Sequence, residues 1–330
     1  MVISKDLDMK NWSLTMKSDL YEKLAKLDNC IIQHNQYRNA VSGIIDCWQR
    51  TIASPNKATS CMLIAEGGLG KTTICKKVLQ SFSSSLVEYS DYSIRKNPAF
   101  YIQIPSGSTI DSLTILMLHK LNDINPSSGT RSDRAFRLKT KLSESCTELI
   151  IFDEFHHIYS TQSSKMKFSK SNENIANWIK TLSDENKICI CLVSLPEYVE
   201  IFERDSQQSR RFKNKYILHP LSIKINSNKV HIKPFLAEVD RFIDKKLGLS
   251  SLKLSDDFMV LRIYIATAGY HDYVMSLVKE AIRFALEEDN HTLKIQHFSM
   301  AWETDITAYV RLSERNPFEM QANELNNFMN

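Results

Sequence analysis

At 330 residues, with 43% hydrophobic and 24% charged side chains, the chain has a globular composition and exceeds one typical core, so two domains or one large domain with an appendage are expected. A net charge of +4 is too small to announce a nucleic-acid binder by its sum, and no run approaches the roughly 20 apolar residues of a membrane span, so no membrane partner is expected. Seven cysteines without a C-x-x-C pair, and an opening Met1 to Asp8 without the basic-then-apolar order of a signal peptide, fit a reduced, cytoplasmic protein with no zinc site.

Residues 1–58 carry apolar positions at helical spacing, Leu20, Leu24 and Leu27, then Val41, Ile44, Ile45 and Trp48, and read as an N-terminal helical region. Ser54-Pro55-Asn56-Lys57 ends it. From 59 to 220 the pattern alternates. A strand near 60–65 runs into Ala65-Glu66-Gly67-Gly68-Leu69-Gly70-Lys71-Thr72-Thr73, followed by a helix to about Phe82. A second strand, Ala99 to Ile104, ends in Pro105-Ser106-Gly107-Ser108, and a helix carrying Leu113, Leu116, Met117 and Leu121 comes next. Beyond a loop at Asn125 to Gly129, Arg131 to Leu142 reads as a basic amphipathic helix with Phe136 and Leu142 inward.

A third strand, Leu149 to Phe152, ends in Asp153-Glu154. After a loop at Ser160 to Ser171 and a helix with Ile175, Trp178, Ile179 and Leu182, a fourth strand runs from Ile188 to Val193 and meets Ser194. A helix near Glu197 to Glu203, the pair Arg210-Arg211 and a short strand Tyr216 to His219 close the series. Wholly apolar strands separated by helices imply an α/β fold with a parallel sheet covered on both faces. Residues 221–312 then read as a small helical domain, with stretches at Pro234 to Leu247, Phe258 to Ala266, Tyr273 to Leu286 and Ile295 to Val310. The last segment, 313–330, is polar with isolated apolar residues and reads as a flexible or partner-binding tail.

The glycine-rich stretch after the first strand has the pattern of a phosphate-cradling loop: backbone N–H groups wrap phosphate oxygens, Lys71 adds a point charge and the Thr72 hydroxyl ligates Mg²⁺. The usual first glycine is Ala65, a substitution small enough for the loop to tolerate. Asp153 is placed to hold Mg²⁺ through water, and Glu154 to polarise an attacking water. His156 and His157 are neighbours that point different ways with no third ligand in view, so packing or hydrogen bonding is expected of them rather than metal binding.

Ala65 to Thr73, Leu149-Ile-Ile-Phe-Asp-Glu-Phe-His-His157, Val193-Ser-Leu-Pro-Glu197 and Arg210-Arg211-Phe212 together resemble an AAA+ ATPase, and within that class the TnsC/TniB transposition regulators, including those of CRISPR-associated transposons. The resemblance spans roughly residues 30–310. It implies an AAA+ P-loop NTPase domain followed by a helical lid, ATP and Mg²⁺ as cofactors, and ATP hydrolysis that switches assembly of a homo-oligomeric ring or filament on double-stranded DNA. The assembly would mark a target and recruit a transposase, together with a target-selection protein.

On this resemblance Glu66, Gly67, Gly68, Leu69, Gly70, Lys71, Thr72 and Thr73 hold the nucleotide, Thr72 and Asp153 the metal, and Glu154 the attacking water. Ser194 stands at the polar reporter position at the end of strand four. Arg210 or Arg211, with Arg211 favoured, would reach a neighbouring subunit's γ-phosphate. No arginine stands at Gly269 to Tyr273, where many lids present one. Arg134, Arg137, Lys139 and Lys141, with Ser108 and Thr109 of the loop after strand two, are candidates for sequence-independent DNA contact, against a solvated outer face as the ordinary fate of a charged helix. A helicase-loader or origin-type ATPase is the alternative; a P-loop small-molecule kinase and a non-hydrolysing scaffold fit Glu154 less well.

Overall fold

Short runs of Ile, Leu, Val and Cys become strands because each is buried along its whole length. In the computed structural model, which describes residues 20–54, 58–88, 93–158, 170–199, 210–224, 229–288, 292–326 and 328, the chain divides into two compact units. One comprises residues 36–218; the other joins residues up to 35 to those from 219 onward. The break at Pro55 to Lys57, the loop from Ser160 to 169 and the 200–203 part of the helix expected after strand four lie outside the described residues.

The first unit opens with helix α2 (Asn35–Ala53), the 20–28 helix being α1, and then alternates strands and helices. In order these are β1 (Cys61–Ile64), α3 (Lys71–Leu79), β2 (Ser85–Glu88), β3 (Ser93–Lys96), β4 (Ala99–Gln103), α4 (Ile110–Lys120), α5 (Arg131–Glu144), β5 (Leu149–Asp153), α6 (Lys170–Asn186), β6 (Cys189–Ser194) and β7 (Asn214–Ile217). Five strands form one sheet in the order β4-β5-β6-β1-β7, every neighbouring pair parallel. The register sets Ile64 of β1 beside Ser194 of β6, and Gln103 of β4 beside Asp153 of β5. The carboxyl ends of β1, β5 and β6 therefore come together, the crevice where open parallel sheets bind ligands.

β1, β5 and β6 are buried at every position. A continuous core joins Phe100, Ile102, Ile150, Phe152, Ile190 and Leu192 to Leu113, Met117, Leu138, Leu142, Ile175 and Ile179 from the covering helices. The inward stripe of α5 is Arg134, Leu138 and Leu142, spaced i, i+4, i+8, and this corrects the expectation for Phe136, whose ring is 71% exposed. The β2–β3 hairpin is antiparallel and separate from the main sheet; its mostly exposed β2 lacks the apolar run by which the other strands were recognised.

The second unit is helical: α7 (Ile232–Phe242) passes into a π-helical turn (Ile243–Leu247), and α8 (Asp257–Thr267), α9 (His271–Glu287), α10 (Ile295–Glu303) and α11 (Ala322–Asn326) follow. Its two short strands, β8 (Ser250–Ser251) and β9 (Thr292–Leu293), pair in parallel. Gly248, at φ 63°, ends the π turn. Gly269 has φ 77°, and a Cβ there would lie 2.2 Å from the Leu221 carbonyl oxygen, so two backbones meet where only glycine fits. Leu24 and Leu27 of α1 share this unit's core with Phe235, Leu236, Leu277 and Phe298. The stretch 1–58, expected as one region, is thus divided: α1 joins the helical unit and α2 the sheet unit.

The segment expected as a flexible or partner-binding tail packs on the helical unit over its described residues. Phe318 stacks on Phe298 with ring centroids 5.4 Å apart, Met320 and Leu325 bury against Leu261 and Ile265, and Arg262 donates to the carbonyls of Pro317 and Met320. Its spaced apolar residues fill this helical unit's surface rather than waiting for a partner. Among the described residues no helix is long and apolar enough to cross a membrane.

Candidate nucleotide site

The loop between β1 and α3 is shaped by Gly68 (φ 71°) and Gly70 (φ 87°), left-handed conformations that glycine adopts without strain. A Cβ built on Gly67 or Gly70 meets no atom within 4 Å, so the loop's outer face is open to a ligand. Ala65 is not among the positive-φ residues, which is why an alanine serves where glycine is usual. Its N–H donates to the Ser194 carbonyl at 3.2 Å, tying the loop's first residue to β6.

Lys71 is buried, and its Nζ donates to the carbonyls of Ala65 and Glu66, each at 3.0 Å. An ammonium held under a loop by neutral carbonyls, with no carboxylate partner among the described residues, suits an arriving anion. One residue on, Thr72 Oγ1 donates to Asp153 Oδ2 at 3.0 Å. Asp153 is fully buried and also accepts from the Tyr101 hydroxyl at 2.7 Å and from the Glu154 N–H at 2.9 Å. A hydroxyl and a carboxylate oxygen converging beside an anion cradle are the hard oxygen donors that Mg²⁺ takes, so these residues fit the ion.

Tyr101 was not singled out in the sequence, although a tyrosine in the otherwise apolar strand Ala99–Gln103 is the signal that marks it. Burial, and then its hydrogen bond to Asp153, push the phenol's pKa well up, so it stays a donor that orients the carboxylate.

Glu154 has φ 54°, uncommon for a residue with a Cβ and a cost of about 1–3 kcal/mol. The turn lifts its side chain off the line of β5, and its Oε2 lies 3.4 Å from His156 Nε2. Burial pushes the His156 pKa down, with Glu154 opposing. His157 Nδ1 donates to the Ile104 carbonyl at 2.8 Å. The adjacent histidines do not diverge as expected: the short helical turn Phe155–Ile158 brings both to Glu154, and one ligand atom from each of the three lies within 4.8 Å of the others. Ser194 Oγ is buried without a partner among the described residues.

The arginines differ. Arg211 forms a two-pronged ion pair with Asp184 on α6, its Nη2 at 2.8 Å from Oδ2 and its Nη1 also bonded, whereas Arg210 is exposed. Among the DNA-contact candidates, Arg134 is buried and bound to Asp111 through Nε and Nη2 (3.2 and 2.7 Å) and to the carbonyls of Ser127 and Gly129. Arg137 holds Asp123 at 3.2 Å and the carbonyls of Asn125 and Ser128. These two guanidinium groups clamp the 123–129 loop, and their forks are filled by it together with Asp111 of α4. Lys139 pairs with Glu185 at 2.9 Å and is exposed, and Lys141 lies 3.8 Å from Glu144 and is half-buried. Ser108 Oγ donates to the Pro105 carbonyl at 2.7 Å, and Thr109 caps α4.

A phosphate loop after β1, an acidic pair after β5 and the strand order β4-β5-β6-β1-β7 define the AAA+ P-loop NTPase fold. Three solved structures of origin-type proteins share it. The Aeropyrum pernix ORC1 protein in complex with DNA is 13% identical at a TM-score of 0.54, with 81% of this chain and 64% of that one covered. The Aeropyrum pernix ORC2 protein in its ADPNP-ADP complexes is 14% identical at 0.57, covering 80% and 66%. Cdc6p from Pyrobaculum aerophilum is 12% identical at 0.57, covering 80% and 65%. The chain thus spans just under two thirds of the length of those proteins. Comparison with curated proteins found no match. The family described as Bacterial TniB protein matches residues 28–219, and the chain belongs to that TniB family.

Proposed function

We propose that this chain is an ATP-dependent, DNA-binding AAA+ regulator that assembles as a homo-oligomer on double-stranded DNA, marks a target and recruits or activates a transposase with a target-selection protein. The observation that carries the nucleotide part is that Lys71 is held by two carbonyls of the glycine-rich loop while its neighbour Thr72 bonds Asp153 at the end of β5, next to Glu154. Membership of the TniB family and the fold shared with a protein solved on DNA support the DNA part.

In this reading the N–H groups of Glu66 to Thr73 cradle the phosphates, Lys71 leaves the carbonyls of Ala65 and Glu66 to meet them, and Thr72 with Asp153, the latter through water, would hold Mg²⁺, whose charge would offset that of the phosphates. Glu154 orients the attacking water, and the Ser194 hydroxyl gains a partner when water and γ-phosphate arrive. Arg210 is the better candidate for a neighbour's γ-phosphate, since Arg211 is already engaged by Asp184. Lys139, Lys141, Ser108 and Thr109 remain candidates for DNA phosphates, while Arg134 and Arg137 support the loop beside them.

Phosphate release from ATP and Mg²⁺, measured with and without duplex DNA, tests the proposal. DNA-stimulated release that is abolished by Lys71→Ala is expected. ADP formation indifferent to DNA but raised by a small metabolite, without matching phosphate release, would instead identify a kinase, which passes the γ-phosphoryl group to the metabolite. Capture of a replicative helicase rather than a transposase would move the chain to the helicase-loader reading, which shares this fold.

A further inference from the structure

The cluster beside the nucleotide site has a composition that Mg²⁺ chemistry does not need. Glu154, His156 and His157 offer one carboxylate oxygen and two imidazole nitrogens, all within 4.8 Å of one another. A zinc ion with bonds of about 2.0–2.2 Å spaces its tetrahedral ligands roughly 3.3–3.6 Å apart. Glu154 Oε2 and His156 Nε2 already stand 3.4 Å apart, so the remaining closure falls on His157.

Two further observations point to a ligand. The Nδ1–H of His157 is donated to the Ile104 carbonyl, which leaves Nε2 with the lone pair and fixes the ring's orientation, the arrangement characteristic of a metal-bound histidine. His156 is more than nine-tenths buried, and its Nε2 faces Glu154. Lys71 is the nearby charge opposing a cation, and Glu197 favours one.

We infer that Glu154, His156 and His157 form a second, inhibitory metal site for a borderline divalent ion of the zinc type, distinct from the Mg²⁺ position at Thr72 and Asp153. A metal there takes up the carboxylate of Glu154. Resting on the reading of Glu154 as the group that orients water, occupancy stops hydrolysis while leaving ATP binding intact, so zinc holds the protein in its ATP-bound state.

Binding is measured on the full, nucleotide-free chain in millimolar Mg²⁺, by zinc titration calorimetry and by the visible absorption of cobalt(II) as the probe. The expected result is one ion per chain, with cobalt bands of nitrogen–oxygen ligation and no thiolate charge-transfer band. His157→Gln weakens binding by about 10-fold or more. Glu154→Gln does the same and serves as the second variant should His157→Gln unfold, which circular dichroism reports. Equal zinc affinity in the parent and in Glu154→Gln overturns the site, as does a cobalt spectrum dominated by thiolate. Phosphate release is then followed with and without zinc. One bound zinc that leaves release unchanged keeps the metal site and refutes Glu154 as the water-orienting group.

Discussion

Arg134 separates a structural from a DNA-contacting role most sharply. Arg134→Met keeps the apolar stem in the α5 stripe and deletes the guanidinium, which makes two bonds to Asp111 and two to the carbonyls of Ser127 and Gly129. Removing one partner of a buried ion pair costs about 3–5 kcal/mol. Asp111 keeps 28% of its side chain in solvent and both carbonyl residues are exposed, so much of the released charge and polarity is rehydrated. About 3 kcal/mol is the resulting expectation, a fall of roughly 6–12 °C in melting temperature for a unit of this size. Thermal unfolding followed by circular dichroism measures it, and a double variant with Asp111→Ala should recover part of the loss, since the carboxylate is then no longer stranded. The slope of DNA affinity against salt should not change. A variant that melts with the parent but loses about 0.9 from that slope, the signature of one phosphate contact, would refute the clamp and return Arg134 to the DNA.

Glu154→Gln should keep ATP affinity, lower phosphate release by about 100-fold or more and prolong nucleotide-bound assemblies, as read by nucleotide titration and single-turnover release. His271 is buried against His34 and Phe235, and burial pushes its pKa down to about 3. The folded protein therefore holds the neutral ring while the unfolded chain protonates near 6.5, so this contribution to stability is full above pH 6.5 and is lost as pH falls toward 3. That amounts to about 2 kcal/mol at pH 5; denaturant melts at pH 7 and 5 should show it, and His271→Leu should flatten the difference. Gly269→Ala, with φ 77° and a Cβ 2.2 Å from the Leu221 carbonyl oxygen, should cost on the order of 3 kcal/mol in the same melts.

The sheet was legible because its strands are buried end to end, so Cys61–Ile64, Leu149–Asp153 and Cys189–Ser194 stand out as apolar runs with no competing helical period. Lys71, Thr72 and Asp153 stand out as candidates for a different reason: the chemistry proposed for them demands fixed residue types at fixed places, the end of one strand and the start of the next helix. What stayed hidden depends on side-chain partners far apart in sequence. Nothing in Arg131 to Lys141 announces that Arg134 reaches Asp111 and Arg137 reaches Asp123, because a stripe of arginines looks the same whether it faces solvent or a loop. Strand or turn geometry would point His156 and His157 apart, whereas the left-handed backbone at Glu154 is followed by a helical turn over Phe155–Ile158. The C-terminal segment looked free because its apolar residues have no period; Phe318, Met320 and Leu325 are placed by the helices they cover.

Negative-stain electron microscopy of the chain with ATP, Mg²⁺ and duplex DNA tests the central claim most directly. Rings or filaments on DNA that form with ATP, and that Lys71→Ala fails to form, are the predicted result. A dispersed monomer under the same conditions, or assemblies indifferent to nucleotide and to Lys71, would contradict the account.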